Sequence, residues 1–277
     1  MNRLPIAKRV QIVSALVEGN SLRATSRMAD VSINTVTKLL VDVGMACAEY
    51  HDAHVRNVTT SRVQCDEIWS FVGAKARNVT TEQRAAGWGD CWTWTAIAAD
   101  EKLIVSYGVG PRTPEMAADV IADLASRLSE GRVQISTDGL PWYAEPIERA
   151  FGIDVDYGMI RKHFGTAGET TGTARYSPPK MTSMTKEVIK GDPNPRHIST
   201  SFVERNNLTM RMGMRRFTRL TNGFSKKVEN HAHAVALHFL HYNFARIHKS
   251  LRVTPAMAAG LADHAWTVEE IVALLGD

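Results

Sequence analysis

The chain has 277 residues, 44% hydrophobic and 22% charged, enough for one large folded domain and a small one, which excludes a disordered or fibrous protein. Its longest apolar stretch, around Val235 to Phe244, is broken by histidines well short of the roughly 18 residues of a membrane helix, and Lys8, Arg9 and Gln11 interrupt any signal-peptide core, so no membrane association and a cytoplasmic location are expected. The net charge of +4 is unevenly spread: residues 161–252 hold 17 basic against 5 acidic side chains, which points to nucleic acid as a partner, although a solvated basic face has the same composition.

The first sixty residues carry helical periodicity and nothing resembling a strand. A helix is expected from Pro5 to Val17, closed by Gly19 and Asn20, then a short one from Ser21 to Ala29, and a third behind Ser32 as N-cap. Val31, Val36, Leu39 and Leu40 are spaced to pack on Leu22 and Met28, which turns Asn34, Thr35, Thr37 and Lys38 outward. This is the pattern of a helix-turn-helix that enters a major groove, and equally of a three-helix cap that binds protein or nothing. The expected boundaries are a helix-turn-helix domain over 1–50 and a linker over 51–62. Cys47, Cys65 and Cys91 make neither a disulfide set nor a close metal-type pair and are read as reduced, mostly buried thiols.

From Val63 the pattern changes to strands: Val63–Val72, Trp92–Ala99 and Leu103–Val109, the last two joined by a tight turn at Asp100-Glu101. A helix follows from Pro114 to Leu128 behind Thr113, then a strand from Val133 to Thr137, a helix from about Pro141 to Phe151 and a fifth strand near Ile153–Tyr157. This order is that of a ribonuclease-H-like α/β fold, a mixed five-stranded sheet with flanking helices, over residues 63–252. Within it, 161–196 is rich in Gly, Thr, Pro and Lys without a sustained apolar period and reads as a mobile basic insertion. Two helices close the region, Ser199–Phe217 and Ser225–Ile247, the second apolar nearly all round, and an acidic helical tail occupies 253–277, with Thr267 and Glu270 in capping-box register.

Three acids stand out. Asp66 interrupts a strand otherwise fit for a sheet interior, where an unpaired carboxylate costs several kcal/mol and a cation would compensate it. Asp138 ends the fourth strand, which the fold order sets beside the first. Glu204 shares a helical stripe with Asn207, Arg211 and Arg215, the last three suited to phosphate contact, while Val203, Met210, Met214 and Phe217 face the core. Each has an ordinary structural explanation; together they suit a pair of Mg²⁺ or Mn²⁺ ions and two-metal phosphoryl transfer. Glu67 adjoins Asp66 but is expected on the opposite face of the strand. His231, His233, His238 and His241 lack the spacing of a tetrahedral set, and no zinc is assigned.

The runs CDEIWSFVGAK (65–75), STDGLPWYAE (136–145), FVERNNLTMR (202–211) and GFSKKVENH (223–231), four blocks in one order, closely resemble the DDE transposases of bacterial insertion sequences, in their IS-one-like branch. The resemblance implies a ribonuclease-H-like catalytic domain, metal-dependent cleavage and transfer of DNA strands, and recognition of the terminal inverted repeats by the N-terminal helices. It places Asp66, Asp138 and Glu204 on the acidic triad and Arg211 on a basic position that contacts DNA. Asn206 stands where the branch more usually has histidine, and the separation of 66 positions from Asp138 to Glu204 exceeds the branch's interval. The partners implied are element ends and target DNA, on the nucleoid, with at least a dimer joining two ends. A structure-selective nuclease of the same fold, or a helix-turn-helix regulator, are the alternatives.

Overall fold

The structure, a computed structural model, describes residues 4–165, 181–218 and 222–276. Three helices open the chain: α1 (Ile6–Val17), α2 (Leu22–Ala29) and α3 (Ile33–His54). Ser21 and Ser32 cap α2 and α3 by accepting the backbone N–H of Ala24 and Thr35, and Asp30 closes α2 in the left-handed conformation. The axes of α2 and α3 differ by 111°. Val36, Leu39 and Leu40 are buried as their spacing suggests, but Met28 is 58% exposed and takes no part in that packing.

At 22 residues, α3 is far longer than a recognition helix needs, and residues 51–54, expected in a linker, form its last turn. His51 is buried there with Nε2 3.2 Å from the Ile104 carbonyl, and burial holds its pKa at about 4, so it acts as a neutral hydrogen-bonding group. Val55 and Val58 are buried as well, and Val58 bridges to Leu128. The segment after α3 is thus pinned to the body of the protein.

Behind it come β1 (Arg62–Val72), a short α4 (Thr81–Ala85), β2 (Gly89–Ala98), β3 (Ile104–Gly110), α5 (Pro114–Arg127), β4 (Val133–Thr137), α6 (Ala144–Phe151), β5 (Val155–Phe164), β6 (Met181–Lys190), α7 (Ser201–Gly213), α8 (Val228–Leu240), α9 (Pro255–Ala258) and α10 (Val268–Ala273). The strands form one mixed sheet in the order β3-β2-β1-β4-β5-β6, with β1, β4 and β5 parallel and the other pairs antiparallel. With its flanking helices the sheet is compatible with a ribonuclease-H-like fold, but it has six strands rather than five. The sixth lies inside the expected insertion: β5 runs on to Phe164, and Met181–Lys190 pairs back along it. Most of β6 is exposed, so it has no buried face to impose an apolar alternation. Residues 166–180 of that insertion lie outside the described residues.

The buried α8 crosses α3 at Gly44, where a built Cβ would stand 2.5 Å from the Cβ of His233 and 2.6 Å from its carbonyl oxygen. Gly44→Ala is therefore expected to lower stability by about 1–3 kcal/mol despite the better helix propensity of alanine, because backbone must move to admit the methyl. Chemical denaturation measures this, and an unchanged midpoint would place the two helices further apart. Cys47, Cys65 and Cys91 are free and buried. No single helix among the described residues is long and apolar enough to cross a membrane.

Candidate active site

The register of the sheet sets the first two acids side by side. Parallel β1 and β4 pair up to Cys65 and Thr137, so the next residue of each, Asp66 and Asp138, leaves adjacent strands together. The chain then turns, and Asp138 Oδ1 accepts the Leu140 N–H at 3.0 Å, an Asx turn that orients the carboxylate. One carboxylate oxygen each from Asp66, Asp138 and Glu67 lies within 4.8 Å of the other two.

Glu67 is the departure from strand alternation. Beyond Cys65 no strand covers β1 on the β4 side, so a glutamate rooted on the far face reaches the gap in which the aspartates meet. It is 8% exposed and firmly held: Arg112 Nε donates to Oε1 at 2.7 Å and Tyr143 Oη to Oε2 at 3.2 Å, while Trp92 stacks on the Arg112 guanidinium. Asp66 keeps a path to solvent but is densely surrounded, and burial, with Glu67 and Asp138 beside it, pushes its pKa up to about 8. Burial and Asp138 also raise Glu67, against the ion pair with Arg112.

The third element is α7. Its first amides, those of Phe202 and Val203, donate to Gln64 Oε1 at 2.8 and 3.2 Å, which docks the helix over the face of β1 that carries Gln64 and Asp66. Asn207, expected to face DNA, is 5% exposed, and its Nδ2 donates to Asp66 Oδ2 at 2.8 Å. Helical arithmetic contains the signal: Asn207 lies about 40° from Val203 and about 60° from Met210, on the core side of the wheel. Its Oδ1 is buried without a partner among the described residues, as are both polar atoms of Asn206.

Glu204 stands over the cluster without belonging to its close trio. Lys162 Nζ, from β5, and the Thr200 hydroxyl both donate to Oε1, and its charge still reaches Asp66. Arg211 is half-buried on the last turn of α7. The helix ends at Gly213, so Arg215 lies past it in a 3-10 turn, exposed and off the expected stripe.

Of the four outward residues expected on α3, Asn34 and Lys38 are exposed and Thr35 and Thr37 half-buried. Lys38 pairs with Asp42 at 3.1 Å. His231 contacts the hydroxyls of Ser70 and Ser225 at 3.1 and 2.8 Å, and burial lowers its pKa to about 3, so it joins α8 to β1 as a neutral bridge.

No protein-family model matches the chain. It is 27% identical over 168 residues to the insertion element iso-IS1n protein InsB of Shigella dysenteriae, a match that covers 61% of this chain and 86% of that protein.

Proposed function

We propose that the chain is a transposase that binds the terminal inverted repeats of its own insertion sequence and catalyses metal-dependent cleavage and transfer of DNA strands at Asp66, Asp138 and Glu204. The observation that carries this reading is the meeting of Asp66 and Asp138 at the ends of two parallel strands, with α7 holding a third acid over them. The similarity to an insertion-element protein supports it.

The donor set fits hard divalent cations. The clustered trio is carboxylates only, without thiolate or imidazole, and Asp66 and Glu67 keep their protons to higher pH because of burial and the neighbouring carboxylates, which a cation would relieve. Asp66, Asp138 and Glu204 would hold two Mg²⁺ or Mn²⁺ ions, which supply activation of the attacking oxygen and stabilisation of the leaving one. The chain's own contribution is positioning. Asn207 fixes the Asp66 carboxylate, the turn at Leu140 fixes Asp138, and Arg112 with Tyr143 keeps the Glu67 charge compensated at the edge of the site.

In this reading residues 1–50 are the helix-turn-helix domain, with Asn34, Thr35, Thr37 and Lys38 toward the groove, 51–62 the connection, 63–252 the catalytic domain and 253–277 a tail. Arg211 and Arg215 meet backbone phosphates, and two copies at least assemble two ends. Arg211→Ala is expected to weaken DNA binding and to reduce the dependence of log K on log salt by about one phosphate contact; an unchanged slope places Arg211 away from DNA.

The test is incubation of the purified protein with Mg²⁺ and labelled duplexes that carry the ends of its element. Nicked and joined products are expected. Nicks without joining would identify a nuclease, and binding without either product a regulator.

A further inference from the structure

A cleft of about 790 Å³ separates the N-terminal helices from the segment that links α7 to α8. Five cations line it, Arg23 from α2, Arg215 and Arg216 after α7, and Lys226 and Lys227 before α8, and no Asp or Glu does so among the described residues. Arg23, Arg215, Lys226 and Lys227 are exposed, and none of them has an ion-pair partner among the described residues.

The local electrostatics are unfavourable as they stand. Lys227 is the N-cap of the 13-residue α8, with no side-chain oxygen capping the helix, so two lysines sit at the positive end of a helix dipole, offset only in part by Glu229 in the first turn. An anion relieves both the uncapped amides and the lysines. Arg216 is fixed in the wall by its bond to Ser225 Oγ at 2.7 Å, and Ser225 is in turn tied through His231 to Ser70 of β1. His238 also lines the cleft; it is 6% exposed, and its Nε2 has no partner among the described residues.

We propose that this cleft takes the sugar–phosphate backbone of the duplex whose bases face α3, so that the N-terminal helices and the catalytic body grip one DNA segment together. The inference rests on the reading of α3 as a recognition helix. Ile33 and Thr37 form one wall, and exposed Asn34 and Lys38 stand a single residue, about 100° of helix, further round, so a strand read by that face runs past the cleft. Five cations from three chain segments exceed what one phosphate monoester needs and suit successive phosphodiesters. Gly19, in the wall, packs so closely on the end of α7 that a Cβ there would stand 2.9 Å from the Gly213 carbonyl oxygen, and α7 carries Glu204 and Asn207. Backbone seated in the cleft therefore lies against Gly19, whose other contact is the end of the helix that carries Glu204.

The experiment measures binding of the full-length protein to end-containing and to random duplexes over a series of NaCl concentrations, for the wild type, Lys226→Ala/Lys227→Ala, the charge-preserving Lys226→Arg/Lys227→Arg pair, and Asn34→Ala. The double alanine variant is expected to weaken both duplexes by a similar factor, at least about tenfold near 0.15 M salt, and to reduce the salt slope by nearly two, while the arginine pair keeps the slope. Asn34→Ala is expected to erode the preference for ends with the slope kept. If the double alanine variant keeps the wild-type slope while Asn34→Ala loses end preference, the cleft proposal falls and the recognition reading stands. A wild type without end preference removes the recognition reading, and with it the proposal. If the dinucleotide pdTpdT binds the wild type and is lost from the double alanine variant while duplex slopes coincide, the cleft is a free-nucleotide site and the proposal is overturned.

Discussion

Asp66→Asn and Asp138→Asn are each expected to lower strand cleavage by at least roughly 10³-fold, the equivalent of about 4 kcal/mol of transition-state stabilisation, while end binding stays within a few-fold of wild type. The neutral amides keep size and shape but remove the charge that a divalent ion requires. The same substitution has an opposite effect on folding. Asp66 titrates near 8 in the native structure, against about 4 in an unfolded chain, so the native state binds the proton more tightly. Stability from this group is complete below pH 4 and is lost as the pH rises toward 8. Asp66→Asn is released from that loss, so the metal-free variant should unfold at a higher temperature than the wild type, by a margin that widens from pH 5 to pH 8. Mg²⁺ should raise the wild-type midpoint and leave the variant nearly unmoved. Thermal scans at the two pH values check both; a margin that stays constant would mean that Asp66 is not held protonated by burial and its neighbours.

These expectations show which parts of the molecule the chain declares openly. Caps and punctuation are local, and so Ser21, Ser32, Thr113 and Thr267 mark helix starts that the structure reproduces. The pairing of Asp66 with Asp138 follows from strand order, because the end of β4 must lie next to β1 in this topology. What stayed hidden depends on surroundings. β6 carries Thr182, Thr185, Val188 and Ile189, good strand formers, but both of its faces are largely wet and no alternation marks it. Glu67 obeys alternation at its Cα, and only the early end of β4 lets its carboxylate round the edge. On α7, polarity groups Asn207 with Glu204, Arg211 and Arg215 as a phosphate-facing stripe, whereas its angle to Val203 and Met210 turns it to the core side, where it bonds Asp66.

The third acid is where sequence and geometry compete, and variants of two glutamates decide between them. Glu67 lies closest to the aspartates, yet both of its oxygens are engaged, by Arg112 and Tyr143, and its side chain is almost wholly enclosed. A carboxylate so committed is compensated already and has little capacity to follow an ion through a reaction. Glu204 is half-buried, bonded through one oxygen to Lys162 and Thr200, and Asn207 one turn later ties its helix to Asp66. Glu204→Gln is accordingly expected to lower cleavage by roughly 10³-fold with binding retained. Glu67→Gln should lose less activity and should show its effect mainly as weaker Mn²⁺ affinity, by roughly 10–100-fold, as expected of a residue that orients metal ligands rather than being one. Single-turnover cleavage and Mn²⁺ titration of the two variants separate the cases. If Glu204→Gln cuts at the wild-type rate and Glu67→Gln does not, the reacting phosphate sits over Asp66, Glu67 and Asp138, and α7 serves to position Asp66 through Asn207 alone.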